Sequence, residues 1–293
     1  MTKPLIIELR ANENAGRDLN RNVPWTPGEL AADIAACCEA GASITHYHGR
    51  SADGAPVHDP ETYAAIASEV RSCCDILLAP SLANAPGASA QQRIANLAPG
   101  FGAGAGSADF LAIEPGSVGM DQYDWGNRAF RSTDRLFLNT TETVTFMADT
   151  ARSARLMPYV TSFNVSWTRT LHALLDAGII QPPFPLLFVT GGPGFLAAHP
   201  GSIEGLQAHL TFLGAIPGVE WLVCCHGASV LAVAEYAIRE GGHVAIGLGD
   251  HSYEELGLPT NAALVRHVAE LGRRYGREPA SPAWVKAQFA PVG

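Results

Sequence analysis

The amino-acid sequence predicts an α/β fold, a single-domain (β/α)8 barrel of the TIM-barrel class. Short β-rich runs alternate with helical runs along the whole chain and form eight strand–helix units. The length of 293 residues suits one barrel, and no break in composition marks a linker between domains. Such alternation implies parallel strands joined by crossover helices, which either close into a barrel or spread as a doubly wound sheet. The number of units and the length favour the barrel.

The first helix has the clearest start and stop signals. Thr26 suits the amino-terminal cap, Pro27 the first turn, and Gly41 the left-handed residue that follows the last turn. The β-rich runs predict strands at residues 5–10, 43–48, 75–80, 109–113, 157–163, 185–190, 221–225 and 243–248. The helical patterns predict helices at residues 27–40, 60–71, 90–98, 142–154, 167–177, 203–213, 230–239 and 261–274. An aromatic and glycine-rich segment, residues 116–137, interrupts the alternation.

Charge and composition exclude several classes of partner. The chain has 28 acidic and 19 basic residues, a formal charge of −9, and no cluster of lysines and arginines. This balance argues against nucleic acid or an anionic membrane surface as the main partner. No apolar run approaches the roughly 20 residues that a membrane span needs, and the first ten residues are too short and too charged for a signal peptide. We therefore expect a soluble, cytoplasmic protein.

Polar residues follow or finish six of the predicted strands. In a (β/α)8 barrel the functional residues lie at the carboxyl ends of the strands. Strands one, two and eight are neighbours in a closed barrel, so their terminal side chains are expected to converge there. The polar residues at these six ends are Asn12, Glu13, Asn14, His46, His48, Ser81, Glu114, His226, Asp250 and His251.

His46 and His48 form the most informative pattern. Side chains alternate between the two faces of a strand, so both imidazoles point the same way at the end of strand two. Two neighbouring imidazoles suit a divalent metal, most often zinc, whose catalytic sites take three protein ligands and one water or substrate oxygen. The alternative is a pair of hydrogen-bonded histidines without a metal. Their position at the end of a barrel strand favours the metal.

Three further features have both a functional and a structural interpretation. Asp250 suits a general base or the partner of a cation, or else a cap or turn aspartate. Arg50 suits an anchor for a substrate carboxylate, or else an ordinary ion pair. Residues 100–105 match the G-x-G-x-x-G/A dinucleotide fingerprint, but a helix precedes them and a strand follows, so the segment is predicted to be a loop.

Several stretches together are similar to a known family. Residues 23–29 (VPWTPGE), 39–50 (EAGASITHYHGR) and 241–250 (GGHVAIGLGD) resemble the β-keto acid cleavage enzymes, which include 3-keto-5-aminohexanoate cleavage enzyme. The resemblance implies a zinc-dependent (β/α)8 barrel that is usually a homo-oligomer. It also implies condensation of a β-keto acid with acetyl-CoA as co-substrate, releasing acetoacetate and a new acyl-CoA. His46 and His48 would then bind the metal that polarises the keto substrate.

The chain departs from the family pattern at several site positions. The resemblance implies a metal-binding glutamate where this chain has Gly249 and a catalytic arginine where it has Ala245. Asn14 replaces the family glutamate after strand one, beside Glu13, and Glu114 stands where a threonine is frequent. These departures allow two interpretations. In the first, a compensating carboxylate, Glu13 or Glu114, completes the metal site. In the second, the site is incomplete and the protein is an inactive, ligand-binding relative. We favour the first interpretation.

The sequence thus leads to a specific hypothesis for the site. His46 and His48 bind the metal with a third ligand, either Glu13, which we favour, or Glu114. Asp250 and Ser81 orient the substrate or move protons. Glu114 (if it is not a ligand) and Arg50 complete the predicted catalytic set. A competing class is a metal-dependent hydrolase or lyase on the same barrel that needs no CoA ester, because function depends on the site rather than on the fold.

Overall fold

A computed structural model of the protein describes residues 2–82, 88–97 and 108–290. Its eight main strands are β1 (Ile7–Arg10), β2 (Ile44–Tyr47), β3 (Leu77–Pro80), β4 (Phe110–Ile113), β5 (Met157–Ser162), β6 (Phe184–Gly191), β7 (Val219–His226) and β8 (His243–Ile246). They lie in the order β3-β2-β1-β8-β7-β6-β5-β4, and every neighbouring pair is parallel. The predicted barrel is confirmed.

The two outer strands of this order, β3 and β4, approach each other and nearly close the barrel. The backbone N–H of Asp109, just before β4, donates to the carbonyl of Leu78 at 2.8 Å. The Asp109 carboxylate accepts from the Leu78 N–H, also at 2.8 Å. An aspartate at the start of β4 therefore supplies part of the pairing between these two strands.

The helices cover the outside of the barrel, as the alternation predicts. They are α1 (Pro27–Ala40), α2 (Pro60–Cys73), α3 (Ala90–Arg93), α4 (Thr141–Ala154), α5 (Val165–Asp176), α6 (Ile203–Leu213), α7 (Leu231–Arg239) and α8 (Asn261–Arg274). A further helix, α9 (Pro282–Phe289), follows α8. Thr26 caps α1 in a capping box with Glu29, and Gly41 ends it with φ +118°. None of the helices within the described ranges is long and apolar enough to cross a membrane.

The structure differs from the predicted elements at two helices. The predicted helix 90–98 is a single turn, α3, followed by a 3-10 turn at Ala95–Leu97, and residue 98 lies outside the described ranges. Helix α9 was not predicted. Ser281 caps it, Pro282 occupies its first turn, and Phe289 packs against Phe110 with ring centroids 6.4 Å apart. Because Phe289 and Phe110 belong to the core inside the strands, α9 closes the amino-terminal end of the barrel.

The interrupting segment forms two antiparallel strand pairs, one nested within the other, beside the carboxyl end of the barrel. Val118–Gly119 pairs with Leu136–Phe137, and Tyr123–Asp124 pairs with Ala129–Phe130. The indole of Trp125 donates to the Pro193 carbonyl at 2.7 Å, which ties this segment to the loop after β6. The glycine-rich residues 100–105 lie outside the described ranges.

Candidate active site at the carboxyl ends of the strands

The carboxyl ends of the strands surround a cavity of about 340 Å³. This is the end of the barrel where the sequence places the functional residues. The wall formed by β1, β2, β7, β8 and the loops that follow them is mainly ionic, and the opposite wall is mainly apolar. The polar and charged lining residues are Arg10, Glu13, Asn14, His46, His48, Ser81, Arg93, Glu114, Gln122, Arg135, Tyr159, Thr161, His226 and Asp250.

Glu13, His46 and His48 form a compact group of possible metal ligands. One ligand atom from each of them lies within 4.8 Å of the other two. Glu13 Oε1 is 3.2 Å from His46 Nε2, and Glu13 Oε2 is 2.7 Å from His48 Nε2. The two Nε2 atoms are 3.3 Å apart. The structure thus brings together the three residues that the sequence proposes as the ligand set.

Local hydrogen bonds hold the two histidines in place. His46 Nδ1 is 2.8 Å from the carbonyl of Ala79, which can only accept, so Nδ1 carries a proton and the ring turns Nε2 towards the group. The side chain of Asn12 accepts from the His48 N–H at 2.9 Å and donates to the His48 carbonyl at 3.0 Å. The end of β1 therefore positions the end of β2.

Glu13 reaches the histidines from a strained backbone conformation. Its φ is +38°, in the left-handed region that non-glycine residues rarely adopt. Arg50 stabilises this conformation, because its Nη1 donates to the Glu13 carbonyl at 2.8 Å and its Nε to the Gly54 carbonyl at 2.7 Å. Arg50 is not among the residues that line the cavity. Its contacts suit the positioning of Glu13, and its predicted catalytic role remains a prediction.

The Glu13 side chain occupies the space that a side chain at residue 249 would need. A Cβ placed on Gly249 would lie 2.6 Å from Glu13 Cγ and 2.8 Å from the Glu13 nitrogen. Real Cβ atoms essentially never approach other atoms so closely. In this chain a carboxylate from the β1 loop and a side chain at position 249 therefore exclude each other.

Arg10, which the sequence reasoning missed, lies at the centre of the ionic wall. Its guanidinium is 2.6 Å from Glu13 Oε1, 3.2 Å from Asp250 Oδ2 and 3.2 Å from Glu8 Oε1. Glu8 is fully buried and also accepts a hydrogen bond from the Tyr159 hydroxyl. Alternation along β1 could have found Arg10, because Glu8 and Arg10 are charged residues two positions apart in an otherwise apolar strand.

The charges in this wall shift the pKa values of its carboxyl groups. Burial disfavours ionisation of Glu13, but Arg10 and then the two histidines hold its pKa well below the usual range. Burial raises the pKa of Glu8, although Arg10 opposes this. Glu13 is therefore an anionic ligand candidate.

Asp250 and His226 form a second contact beside this group. His226 Nδ1 is 3.5 Å from Asp250 Oδ1, and the His226 ring packs on Phe195 with centroids 4.7 Å apart. Burial lowers the pKa of His226, but the hydrogen bond and charge of Asp250 outweigh it and raise the pKa above its ordinary value. The sequence placed His226 at a strand end but assigned it no role.

Glu114 and Ser81 line the same cavity outside the Glu13–histidine group. Glu114 Oε2 forms an ion pair with Arg93 Nη2 at 2.8 Å, and burial raises its pKa despite that partner. The Ser81 hydroxyl donates to the Leu82 carbonyl at 3.2 Å. Of the two carboxylates that the sequence left open as a third ligand, Glu13 lies beside the histidines, whereas Glu114 is held by Arg93.

Comparison with known proteins finds relatives over nearly the whole chain. A model of the beta-keto acid cleavage enzyme family matches residues 4–290. The 3-keto-5-aminohexanoate cleavage enzyme of Acetoanaerobium sticklandii is 27% identical over 287 residues, which cover 97% of this chain and 96% of the relative. A 3-oxoadipate:acetyl-CoA acetyltransferase of Cupriavidus necator is 27% identical over 291 residues, which cover 98% of this chain and 95% of the relative.

A solved structure gives the same fold. ObcA, in a ternary complex with a C4-CoA adduct and oxalate, superimposes with a TM-score of 0.72 and 17% identity, covering 92% of this chain and 68% of ObcA. Fold and cavity together define a TIM-barrel protein whose site lies at the carboxyl ends of its strands. The chain belongs to the beta-keto acid cleavage enzyme family, which confirms the resemblance seen in the sequence.

Proposed function

We propose that this protein is a metal-dependent β-keto acid cleavage enzyme that condenses a β-keto acid with acetyl-CoA and releases acetoacetate and an acyl-CoA. The observation that carries the proposal is the convergence of Glu13, His46 and His48 at the mouth of a barrel of this family. The names of relatives that use acetyl-CoA support the co-substrate. The overall exchange balances. The acetyl group of acetyl-CoA takes the place of the substrate's acyl group on the carbon next to the carboxylate, which gives acetoacetate. The displaced acyl group takes the place of the acetyl group on the sulfur of CoA.

The residues of the group fit a zinc-type ion. His46 turns its Nε2 towards the group, since its Nδ1 donates to the Ala79 carbonyl. Glu13 Oε1 is buried and lies 2.6 Å from the Arg10 guanidinium and 3.2 Å from His46 Nε2, so the carboxylate is held beside the histidines. Two imidazoles and one carboxylate are a common zinc set with an open fourth position. The ion would act as a Lewis acid on the keto and carboxylate oxygens, and it would stabilise the enolate that forms when the carbon–carbon bond breaks.

The remaining residues of the ionic wall have roles that their contacts support. Arg10 holds Asp250 by an ion pair at 3.2 Å, which positions the aspartate to orient a polar substrate group or to take part in proton transfer. This contact supplies an arginine–aspartate pair although the family position on β8 is Ala245. Ser81 and Glu114 line the cavity where they orient the substrate, and Glu114 is held there by its ion pair with Arg93.

The test is a panel of β-keto acids incubated with and without acetyl-CoA, with acetoacetate and the acyl-CoA products identified by mass spectrometry. We expect consumption only when acetyl-CoA is present, and loss of both activity and bound metal in His46→Ala. Cleavage that proceeds without any CoA ester would replace this proposal by a metal-dependent hydrolase or lyase. Absence of bound metal from the native protein, even after incubation with zinc, would contradict the metal-dependent mechanism. The homo-oligomer and the cytoplasmic location stay predictions.

A further inference from the structure

The cavity has two chemically different walls. The ionic wall comes from β1, β2, β7 and β8 and carries Glu13, His46, His48 and Asp250. In an eight-stranded barrel, β5 and β6 lie opposite β1 and β2. A substrate whose keto and carboxylate oxygens face the ionic wall therefore extends the rest of its chain towards β5 and β6.

The wall on that side is mainly apolar, and its polar members are Tyr159 and Thr161 of β5. Phe195 and Phe137 are each 6% exposed, Val189 is 5% exposed, and Leu187 is 1% exposed. Phe163 stacks on Trp167 with ring centroids 4.7 Å apart and packs on Phe195 at 6.1 Å, so these rings form a continuous surface. The apolar lining residues are Ala112, Met120, Phe137, Phe163, Leu187, Val189 and Phe195.

The charged groups next to this apolar wall already have partners. Glu114 is paired with Arg93 at 2.8 Å. The Tyr159 hydroxyl is engaged by Glu8. Among the lining residues that the structure describes, the cation without an ion pair is Arg135, which is exposed at the rim. A charged group held between Phe163, Val189 and Phe195 would lose its hydration without gaining a partner, which is costly.

We infer that the substrate is a β-keto acid whose chain beyond the keto carbon is uncharged and mainly apolar. This inference rests on the proposed function, and it adds the chemical class of the substrate's tail. Val189 and its apolar neighbours then act as specificity-determining residues. An anionic tail that reaches Arg135 is the main competing outcome.

The test compares three six-carbon acids that differ only at the tail. They are 3-oxohexanoate, with a neutral tail; 3-oxoadipate, with an anionic tail; and 3-keto-5-aminohexanoate, with a cationic tail. Calorimetric titration of the purified protein without acetyl-CoA measures each Kd, and turnover with acetyl-CoA is measured separately. We expect 3-oxohexanoate to bind at least about tenfold more tightly than either charged acid.

Equal or tighter binding of either charged acid overturns the inference, and so does failure of all three acids to bind. Selective binding of the neutral acid without acetyl-CoA-dependent turnover would sustain the inference about the tail and contradict the proposed reaction.

A matched pair of variants tests the wall itself. Val189→Ala should weaken 3-oxohexanoate binding at least about threefold, whereas Val233→Ala, buried on α7 away from the cavity, should leave it unchanged. Equal effects of the two variants would also overturn the inference.

Discussion

At the residue scale, the position of one carboxylate decides the character of this site. Glu13 comes from the β1 loop, has a left-handed backbone, and lies within 2.7 Å of His48. Gly249, on the loop after β8, leaves the space that Glu13 fills. The family pattern implies a glutamate at position 249, on the loop after β8. In this chain the Glu13 side chain, from the loop after β1, occupies that space instead.

The first prediction separates the two candidate third ligands. Glu13→Gln keeps the size of the side chain but removes its charge, so zinc affinity should fall at least about 100-fold. Glu114→Gln should retain zinc, because Glu114 is paired with Arg93 rather than with the histidines. Competition titration with a chromogenic chelator measures both affinities. Retained zinc in Glu13→Gln together with loss in Glu114→Gln would assign the ligand to Glu114 instead.

The second prediction concerns the space at Gly249. Gly249→Ala places a Cβ about 2.6 Å from Glu13 Cγ, so Glu13 must move and zinc affinity should drop by roughly tenfold or more. Gly119→Ala is the control, because a Cβ at Gly119 meets no atom within 4 Å. Circular dichroism checks that both variants fold. Unchanged zinc affinity in Gly249→Ala would show that Glu13 does not need this space.

At the element scale, a buried polar cluster joins α1, α8 and the strand ends. Asn261, at the start of α8, donates to the Ala11 carbonyl at 2.9 Å and to Asp33 Oδ2 at 2.8 Å. Its side-chain oxygen accepts from the Leu248 N–H at 2.8 Å. This single amide therefore holds the loops after β1 and β8 in the relative position that places Glu13 beside Gly249.

The third prediction follows from the buried aspartate of this cluster. Burial raises the pKa of Asp33 to about 6, against an ordinary value of 3.8. Between these two pKa values the folded chain thus holds a proton that the unfolded chain releases. The contribution of this protonated carboxyl group to the free energy of unfolding is therefore full below about pH 4 and is lost as the pH rises through about 6. Asp33→Asn should relieve up to about 3 kcal/mol of this loss at pH 8.

Urea unfolding of wild type and Asp33→Asn at pH 4 and pH 8 measures this effect. The free energy of unfolding of the variant, relative to wild type, should be higher at pH 8 than at pH 4. Asp149→Asn is the control, because the Asp149 side chain is 60% exposed on α4 and its removal should give the same difference at both pH values. An Asp33→Asn difference that does not change with pH would contradict the raised pKa.

At the scale of the whole molecule, the proposed metal site links the ends of β1 and β2. A ligand that binds the folded chain alone stabilises it by about 2.7 kcal/mol at a concentration 100 times its Kd. Zinc ligands contributed by two strands should therefore couple metal binding to global stability.

The fourth prediction uses this coupling. Zinc at such an excess should raise the Tm of the chelator-treated wild-type protein by several degrees, whereas His46→Ala should show little rise. Differential scanning calorimetry measures both. Calcium at the same concentration serves as the control ion, because a site with two imidazoles disfavours it. A rise of equal size in wild type and His46→Ala would place zinc binding elsewhere on the chain.

Much of the architecture was predictable because it depends on local signals. The capping box at Thr26, the glycine after α1 and the alternating runs predict the eight strand–helix units, which the structure confirms. Helix α9 was missed because its amphipathic signal is weak. Its residues Val285 and Phe289 pack into the core inside the strands, so tertiary contacts rather than a local pattern define its role. The short α3 shows that a helical composition does not determine helix length.

The sequence by itself determined the barrel, its family and the pairing of His46 with His48 on one face of β2, because these depend on periodicity and local motifs. Only the tertiary structure decided that Glu13 rather than Glu114 lies beside the histidines, that Arg10 reaches Asp250 from β1, and that Arg50 supports Glu13 from behind. These contacts join residues from different loops and strands. Their distances depend on the closure of the barrel and on backbone conformation, which no local pattern records.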